Sequence, residues 1–371
     1  MFYKGIIFDI DDTIYDYNQR NEIAVKKVIS YIIENNEKYK NYSQIRTIYD
    51  DISIKTKNEL KSTASSHNKS IYIKHLIEEL HLDYSLCLLL NDIYWSAFYE
   101  HLQCFDEVKE FIIWNKKIGV KIGILTDYET EYQLLKLEKL GLLSYIDCIV
   151  TSEEVGIEKP SIQMFYTILQ KMNLNSTDVI MIGDSYEKDI QGAKNAKIVS
   201  YWFHTKNPEF ENFTLLHSKF NSIYNELIIF KSISKYCGER FDLAQAGGGN
   251  TSVKIGGLMF IKASGYNLTN IDEVNGYVVV DNTKLLNDIY QGTIQDVTQY
   301  NFIGNKRGSI ETFMHSILKK YTIHLHPIQM NRILISSDAI QFIKKIYPDA
   351  LIIEYLTPPS FGIIYSTSIF G

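Results

Sequence analysis

The chain begins with a short apolar run, Ile6-Ile7-Phe8, that empties into Asp9-Ile10-Asp11-Asp12-Thr13. This reads as a buried strand ending in acids. A long block with helical spacing follows, roughly 18–101, with almost no strand signal. Ala24, Val25, Val28, Ile29 and Ile32 recur at three- and four-residue intervals, as do Tyr72, Leu76, Ile77 and Leu80. The spacing predicts a four- or five-helix insertion, with a loop in the polar stretch Thr63–Ser70. From Phe105 the pattern changes again. Helices predicted at Val108–Trp114, Glu129–Leu140, Ile162–Met172 and Glu187–Ala196 alternate with strands at Val120–Leu125, Asp147–Thr151, Val179–Gly183 and Ile198–Phe203. Such alternation predicts βαβ units and a parallel sheet, whose ligands lie outside the carboxyl ends of the strands. A connecting helix is expected within 205–235, from the apolar spacing of Leu215 to Ile233. The glycine run Gly247-Gly248-Gly249 then opens a second region.

Composition narrows the class without naming a function. With 371 residues the chain has room for two domains, and 45% hydrophobic and 22% charged residues are values of a globular protein. The net charge of −6, without a long basic run, argues against nucleic acid or an anionic membrane as partner. No run of 18 uncharged apolar residues predicts a membrane span, and the charged N-terminus argues against a signal peptide. The four cysteines lack metal-site spacing and fit a reducing, cytoplasmic setting.

In an extended strand Asp9 and Asp11 point the same way, and a bound cation such as Mg²⁺ relieves their repulsion. Further polar landmarks stand at the ends of the later strands: Thr126-Asp127, then Lys159-Pro160 after Gly156, then Gly183-Asp184-Ser185 with Asp189. Each alone reads equally well as a cap or turn residue. Their order is what matters. DxDxT, hhhT, KP and GDxxxxD together resemble the haloacid dehalogenase (HAD) superfamily over residues 1–205. The resemblance implies a Rossmann-like core at 1–17 and 102–205, with a helical cap at 18–101. It makes Asp9 the nucleophile that forms an aspartyl-phosphate and Asp11 the general acid/base. Thr126 would bind the phosphoryl oxygens, Lys159 would neutralise charge, and Asp9, Asp11, Asp184 and Asp189 would form or support a Mg²⁺ site. Thr13 and Asp127 are added as candidate substrate contacts, and Tyr15 and Tyr17 stand at the entrance to the cap. Where many members have asparagine or glycine after the threonine, this chain has Asp127. Dehalogenases lack a carboxylate at the position of Asp11, so the resemblance points to phosphoryl transfer, and the helical cap implies a small phosphorylated metabolite as substrate.

A second set lies further on: Gly249-Asn250-Thr251-Ser252, Lys262-Ala263-Ser264-Gly265, Ser309-Ile310-Glu311-Thr312 and His324-Leu325-His326. Period-two spacing puts the two imidazoles on one strand face. This set resembles the class II aldolase/adducin family over about 236–366. The resemblance implies phosphate contacts at Asn250, Ser264 and Ser309, an acid/base at Glu311, and zinc on His324 and His326. The family's third zinc histidine lies downstream, and no histidine follows His326. The expectation is therefore a partial α/β aldolase-like domain over 236–371, joined by a linker helix in 206–235.

The leading expectation is a Mg²⁺-dependent phosphatase of a sugar or polyol phosphate fused to that partial domain. Three others stand beside it: a phosphomutase or phosphotransferase, a bifunctional phosphatase-aldolase or epimerase, and an assembly role for the C-terminal part through homo-oligomers.

Overall fold

The computed structural model describes residues 3–203, 211–272, 275–304 and 306–352. The last part of the expected aldolase-like segment, 353–371, lies outside them. The chain forms two compact units, one within 2–218 and one from Lys219 onward. Among the described residues no helix is long and apolar enough to cross a membrane.

In the first unit β1 (Gly5–Phe8) is the middle strand of a five-stranded sheet. It leads into a cap of four helices: α1 (Tyr17–Asn35), α2 (Tyr42–Glu59), α3 (Lys69–Glu79) and α4 (Leu86–Tyr99). Asp16, Asn41 and Asn68 accept hydrogen bonds from the first-turn amides of α1, α2 and α3, which fixes where each helix starts. The apolar stripe anticipated on α1 is the buried face of that helix. Arg20, also buried, donates to the carbonyls of Ala97, Phe98 and Glu100. A guanidinium thus satisfies the last carbonyls of α4, at the end of the helix dipole that favours a cation.

The chain then returns through α5 (Asp106–Lys117), β2 (Lys121–Thr126), α6 (Thr130–Lys139), β3 (Cys148–Thr151), α7 (Ser152–Val155), α8 (Ile162–Met172) and β4 (Val179–Gly183). A π turn at Tyr186–Gln191 runs into α9 (Gly192–Asn195), and β5 (Val199–Trp202) closes the sheet. The strand order is β3-β2-β1-β4-β5, all parallel. β1 therefore sits where the order reverses, and the crevice at that switch point opens beyond Phe8. Ile7, Leu125, Val150, Met164, Phe165, Ile168 and Met181 form the core beneath the sheet.

Helix α10 (Phe213–Glu239) carries the boundary between the units, and it runs well past the predicted end at Ile233. The second unit is built on an antiparallel sheet, β10-β6-β7-β8-β9, of β6 (Asn250–Ile255), β7 (Leu258–Lys262), β8 (Tyr277–Asp281), β9 (Asn301–Ile303) and β10 (Tyr321–His324). α11 (Asn282–Gln291) and α12 (Thr312–Ile317) pack with it, and α13 (Ile328–Leu334) and α14 (Ala339–Ile346) follow.

Candidate active site

Every strand that borders the crevice ends in a polar side chain. Asp9 follows β1, Thr126 ends β2, and Asp184 follows β4. Lys159 comes from the turn after α7, where Gly156 takes a left-handed backbone that suits glycine. Asp189 lies in the π turn. A Cβ on Gly183 would sit 2.3 Å from the Asp189 Cγ, so only glycine lets that carboxylate lie against the strand end.

The groups converge. Asp9, Asp184 and Asp189 offer carboxylate oxygens within 4.8 Å of one another, the one such group of three or more potential metal ligands among the described residues. The Lys159 ammonium reaches Asp9 Oδ1 and Asp189 Oδ1 at 2.7 Å each and the Leu125 carbonyl at 3.1 Å. All three of its protons are used. Asp189 is completely buried, and its second oxygen accepts the Ser185 amide at 3.0 Å. Burial raises the pKa of Asp9 well above the carboxylate range; Lys159 opposes this, and Asp189 and Asp184 add to it. Asp184 is pushed up to about 7 by burial and by Asp189. Three crowded carboxylates with one lysine leave negative charge uncompensated, and hard oxygen donors of this kind fit Mg²⁺.

Asp11 is placed apart from that trio. Its carboxylate receives the Lys136 ammonium at 2.8 and 3.0 Å and the Tyr15 hydroxyl. Burial would raise its pKa, but Lys136 and the hydrogen bonds prevail and lower it. Thr126 Oγ1 accepts from Gln133 at 2.7 Å. Asp127 lines the cleft, yet its oxygens hold the Lys159 amide at 2.9 Å and the Lys188 ammonium at 2.8 Å, so it organises lysines. Thr13, expected to contact substrate, is fully buried and does not line the cleft. The reason is local: the backbone turns at Asp12 (φ 58°), and the amides of Thr13 and Ile14 both bond back to the Ile10 carbonyl. Asp12 itself accepts from the Asn18 amide and side chain, as a cap residue does.

The cleft offers about 250 Å³ to water-sized molecules, and its remaining walls come largely from residues without a motif: Tyr17, Lys57, His67, Lys69, Trp95, Tyr128, Lys136 and Lys188. Lys136 and Gln133 occupy the buried face of α6 beside Leu137, and Lys69 that of α3 with Tyr72, Ile73 and Leu76. A lysine within an apolar stripe was the signal available in the sequence. The cap reaches the core through Asn68 to Glu129 (2.6 Å) and through Ser66 and His67 to Glu158 (3.2 and 3.1 Å).

A family model described as haloacid dehalogenase-like hydrolase matches residues 3–197. The chain belongs to that family. Among curated relatives, it is 34% identical over 192 residues to a ribulose-1,5-bisphosphate 5-phosphatase of Halopiger xanaduensis, a match spanning 51% of this chain and 80% of the relative. A glyceraldehyde 3-phosphate phosphatase of Methanocaldococcus jannaschii is 25% identical over 240 residues (62% and 99%). An N-acylneuraminate-9-phosphatase of Mus musculus is 27% identical over 199 residues (52% and 79%). This haloacid dehalogenase-like chain is a phosphoric monoester hydrolase.

The second unit is different. Asn250, the first residue of β6, is buried with both side-chain amide atoms unpaired, opposite His324 in the sheet register. Strand β10 ends at His324, so His326 lies in the following loop rather than on a strand face. The two rings are 4.8 Å apart, and Glu311 approaches His324 Nδ1 only to 3.8 Å. His315 faces inward instead, with Nδ1 2.8 Å from Ser252 Oγ; burial and then His324 push its pKa down to about 3. Ser264 is exposed, and the side chain of Ser309 receives the Glu311 amide at 3.4 Å. Among the described residues no hydrogen bond or ion pair joins Asn250, Ser264 and Ser309. The structure brings His324 and His326 side by side, but among the described residues no third histidine, cysteine or carboxylate joins them in a common group.

Proposed function

We propose that the first unit hydrolyses the phosphate ester of a small phosphorylated sugar or polyol, with Asp9 as nucleophile and Mg²⁺ as cofactor. The observation that carries this reading is the Asp9 carboxylate, held by Lys159 at 2.7 Å in a cleft that cap residues also line. The relatives' activities, on ribulose-1,5-bisphosphate and glyceraldehyde 3-phosphate, support the sugar-phosphate class.

In this reading Asp9 attacks phosphorus, the bond to the sugar oxygen breaks, and an aspartyl-phosphate forms. Asp11 gives a proton to the departing oxygen, then takes one from the water that releases phosphate and restores Asp9. The low pKa set by Lys136 suits the second task. An incoming phosphate beside Asp11 raises it for the first, since a like charge disfavours ionisation. Lys159 compensates charge on Asp9, and the Thr126 hydroxyl turns to a phosphoryl oxygen. Asp9 and Asp184 would hold Mg²⁺ while Asp189 orients Lys159; the ion would lessen repulsion between phosphate and carboxylate. Trp95, Tyr17 and Tyr128 shield the cleft from bulk water.

The test is phosphate release from a panel of sugar phosphates with Mg²⁺. Asp9→Asn is expected to lower it by at least ~10³-fold, since the nucleophile is removed. Equal turnover by the variant and the native chain would refute the assignment.

A further inference from the structure

The charges lining the cleft do not balance within the reaction centre. Six aspartates face it: Asp9, Asp11, Asp12, Asp127, Asp184 and Asp189. Of the five lysines there, Lys159 is shared by Asp9 and Asp189, Lys136 is held by Asp11, and Lys188 by Asp127. Lys57 and Lys69 remain, both from the cap. Among the described residues neither has a carboxylate at ion-pair distance.

Lys69 is the more telling of the two. It is only 6% exposed, yet it lines the cleft. Its ammonium lies 4.8 Å from the ring centre of Tyr72, 5.7 Å from Tyr17 and 5.9 Å from Tyr94. Aromatic faces offset part of the loss of water but supply no counter-charge. Burial, then the charges of Lys57 and Lys136, push its pKa down to about 7. An ordinary core position on α3 would carry methionine or leucine, which fill the same space without that penalty. Local rules are broken in this way where a ligand supplies the missing partner. In the proposed reaction the transferred phosphoryl group is met by the Thr126 hydroxyl and the metal, with Lys159 compensating Asp9, so the leftover cations await a different anion.

We propose that Lys69, with Lys57 beside it, receives a second anionic group on the substrate, a phosphate or a carboxylate, at the end remote from the ester being cleaved. This rests on the phosphatase reading above and narrows its substrate class to doubly anionic metabolites. Lys69 acts there as a specificity residue and takes no part in bond breaking.

Two matched pairs of substrates test it and separate the two anions. Ribulose 1,5-bisphosphate against ribulose 5-phosphate isolates a second phosphate; 3-phosphoglycerate against glyceraldehyde 3-phosphate isolates a carboxylate. In one pair the native chain is expected to favour the doubly anionic member in kcat/KM by about tenfold or more, as a charge-assisted contact provides. Lys69→Met should collapse that ratio at least tenfold, mainly through KM, Lys69→Arg should restore part of it, and Lys57→Met should have a smaller effect. A preference in neither pair, or a loss in Lys69→Met that is equal for both members, would overturn the proposal while leaving the phosphatase reading intact. No phosphate release from any of the four substrates or from p-nitrophenyl phosphate would overturn both. Thermal unfolding of Lys69→Met at pH 6 guards against a folding defect, because removing a buried cation should not lower the midpoint.

Discussion

Both five-stranded sheets end in polar side chains, but the two sheets treat those ends differently. In the parallel sheet β1, β2 and β4 point the same way, so Asp9, Thr126 and Asp184 emerge at one edge, and Lys159 and Asp189 complete the group. In the antiparallel sheet neighbouring strands run oppositely. Asn250 starts β6 while His324 ends β10, and Ser264 follows β7. The parallel arrangement delivers successive motifs to one place by construction. The antiparallel one also puts the start of β6 and the ends of β7 and β10 at one edge, yet there Asn250 stays unpaired among the described residues and His326 lies off the strand.

The largest effect should come from Lys159→Met. The substitution leaves Asp9 and Asp189 facing each other without their ammonium. Removing one partner of a buried ion pair costs about 3–5 kcal/mol, so the unfolding midpoint should drop sharply, and added Mg²⁺ should recover part of the loss. A variant as stable as the native chain, with no response to Mg²⁺, would dissolve the contrast between a converged and an unconverged set.

Lys136→Met comes next. Without this cation the burial of Asp11 prevails and its pKa rises. On the proposed mechanism the hydrolytic step needs Asp11 ionised, so the acid limb of the pH–rate profile should move to higher pH, with kcat lowered about 10- to 100-fold at neutral pH. An unshifted limb would remove Asp11 from the proton-transfer role.

Acid should separate the two units. His315 titrates near 6.5 when unfolded and at about 3 in the fold, so the native state binds fewer protons between those values. Its stabilising contribution is full above 6.5 and declines as pH falls toward 3. All three tryptophans, Trp95, Trp114 and Trp202, lie in the first unit. On acidification below pH 6.5, circular dichroism should therefore change before tryptophan fluorescence, and His315→Asn should reduce that lead. Coincident transitions in both chains would sink the idea.

A smaller effect concerns Lys69. Its pKa is depressed from the ordinary 10.5 to about 7, so the buried ammonium weakens the fold most below pH 7, and the penalty fades as pH rises toward 10.5. Lys69→Met should raise the unfolding midpoint at pH 6 and leave it nearly unchanged at pH 10. Smallest of all, His324→Ala should not alter the zinc content of the purified chain, because among the described residues no third ligand joins His324 and His326.

Much of the first unit was legible because a parallel βαβ sheet couples a periodic pattern to a fixed outcome. The apolar stripe of α1, the span of α8 and the strand before Asp184 follow from spacing alone. Asp9, Thr126 and Asp184 could be placed because each sits at a strand end, with Lys159 and Asp189 in turns beyond. Less legible were residues whose role depends on a neighbour distant in sequence. Lys136 meets Asp11 across 125 positions, and nothing near either one announces the pair. Thr13 misled for the opposite reason, since a motif position predicted contact while the turn at Asp12 buried its side chain.

By itself, then, the sequence determined the alternation of strands and helices, the helical insertion after β1, and the identity of the acids at the strand ends and of the lysine in a turn beyond them. Those follow from periods of 2 and 3.6 and from short-range backbone chemistry. Tertiary structure decided how the charges were shared: Lys159 between Asp9 and Asp189, Lys136 to Asp11, Lys188 to Asp127, and Lys69 buried with no acid at ion-pair distance among the described residues. Ion pairing depends on distance and desolvation, which packing sets. The same limit applies to the histidines of the second unit, where a matching motif did not gather a site.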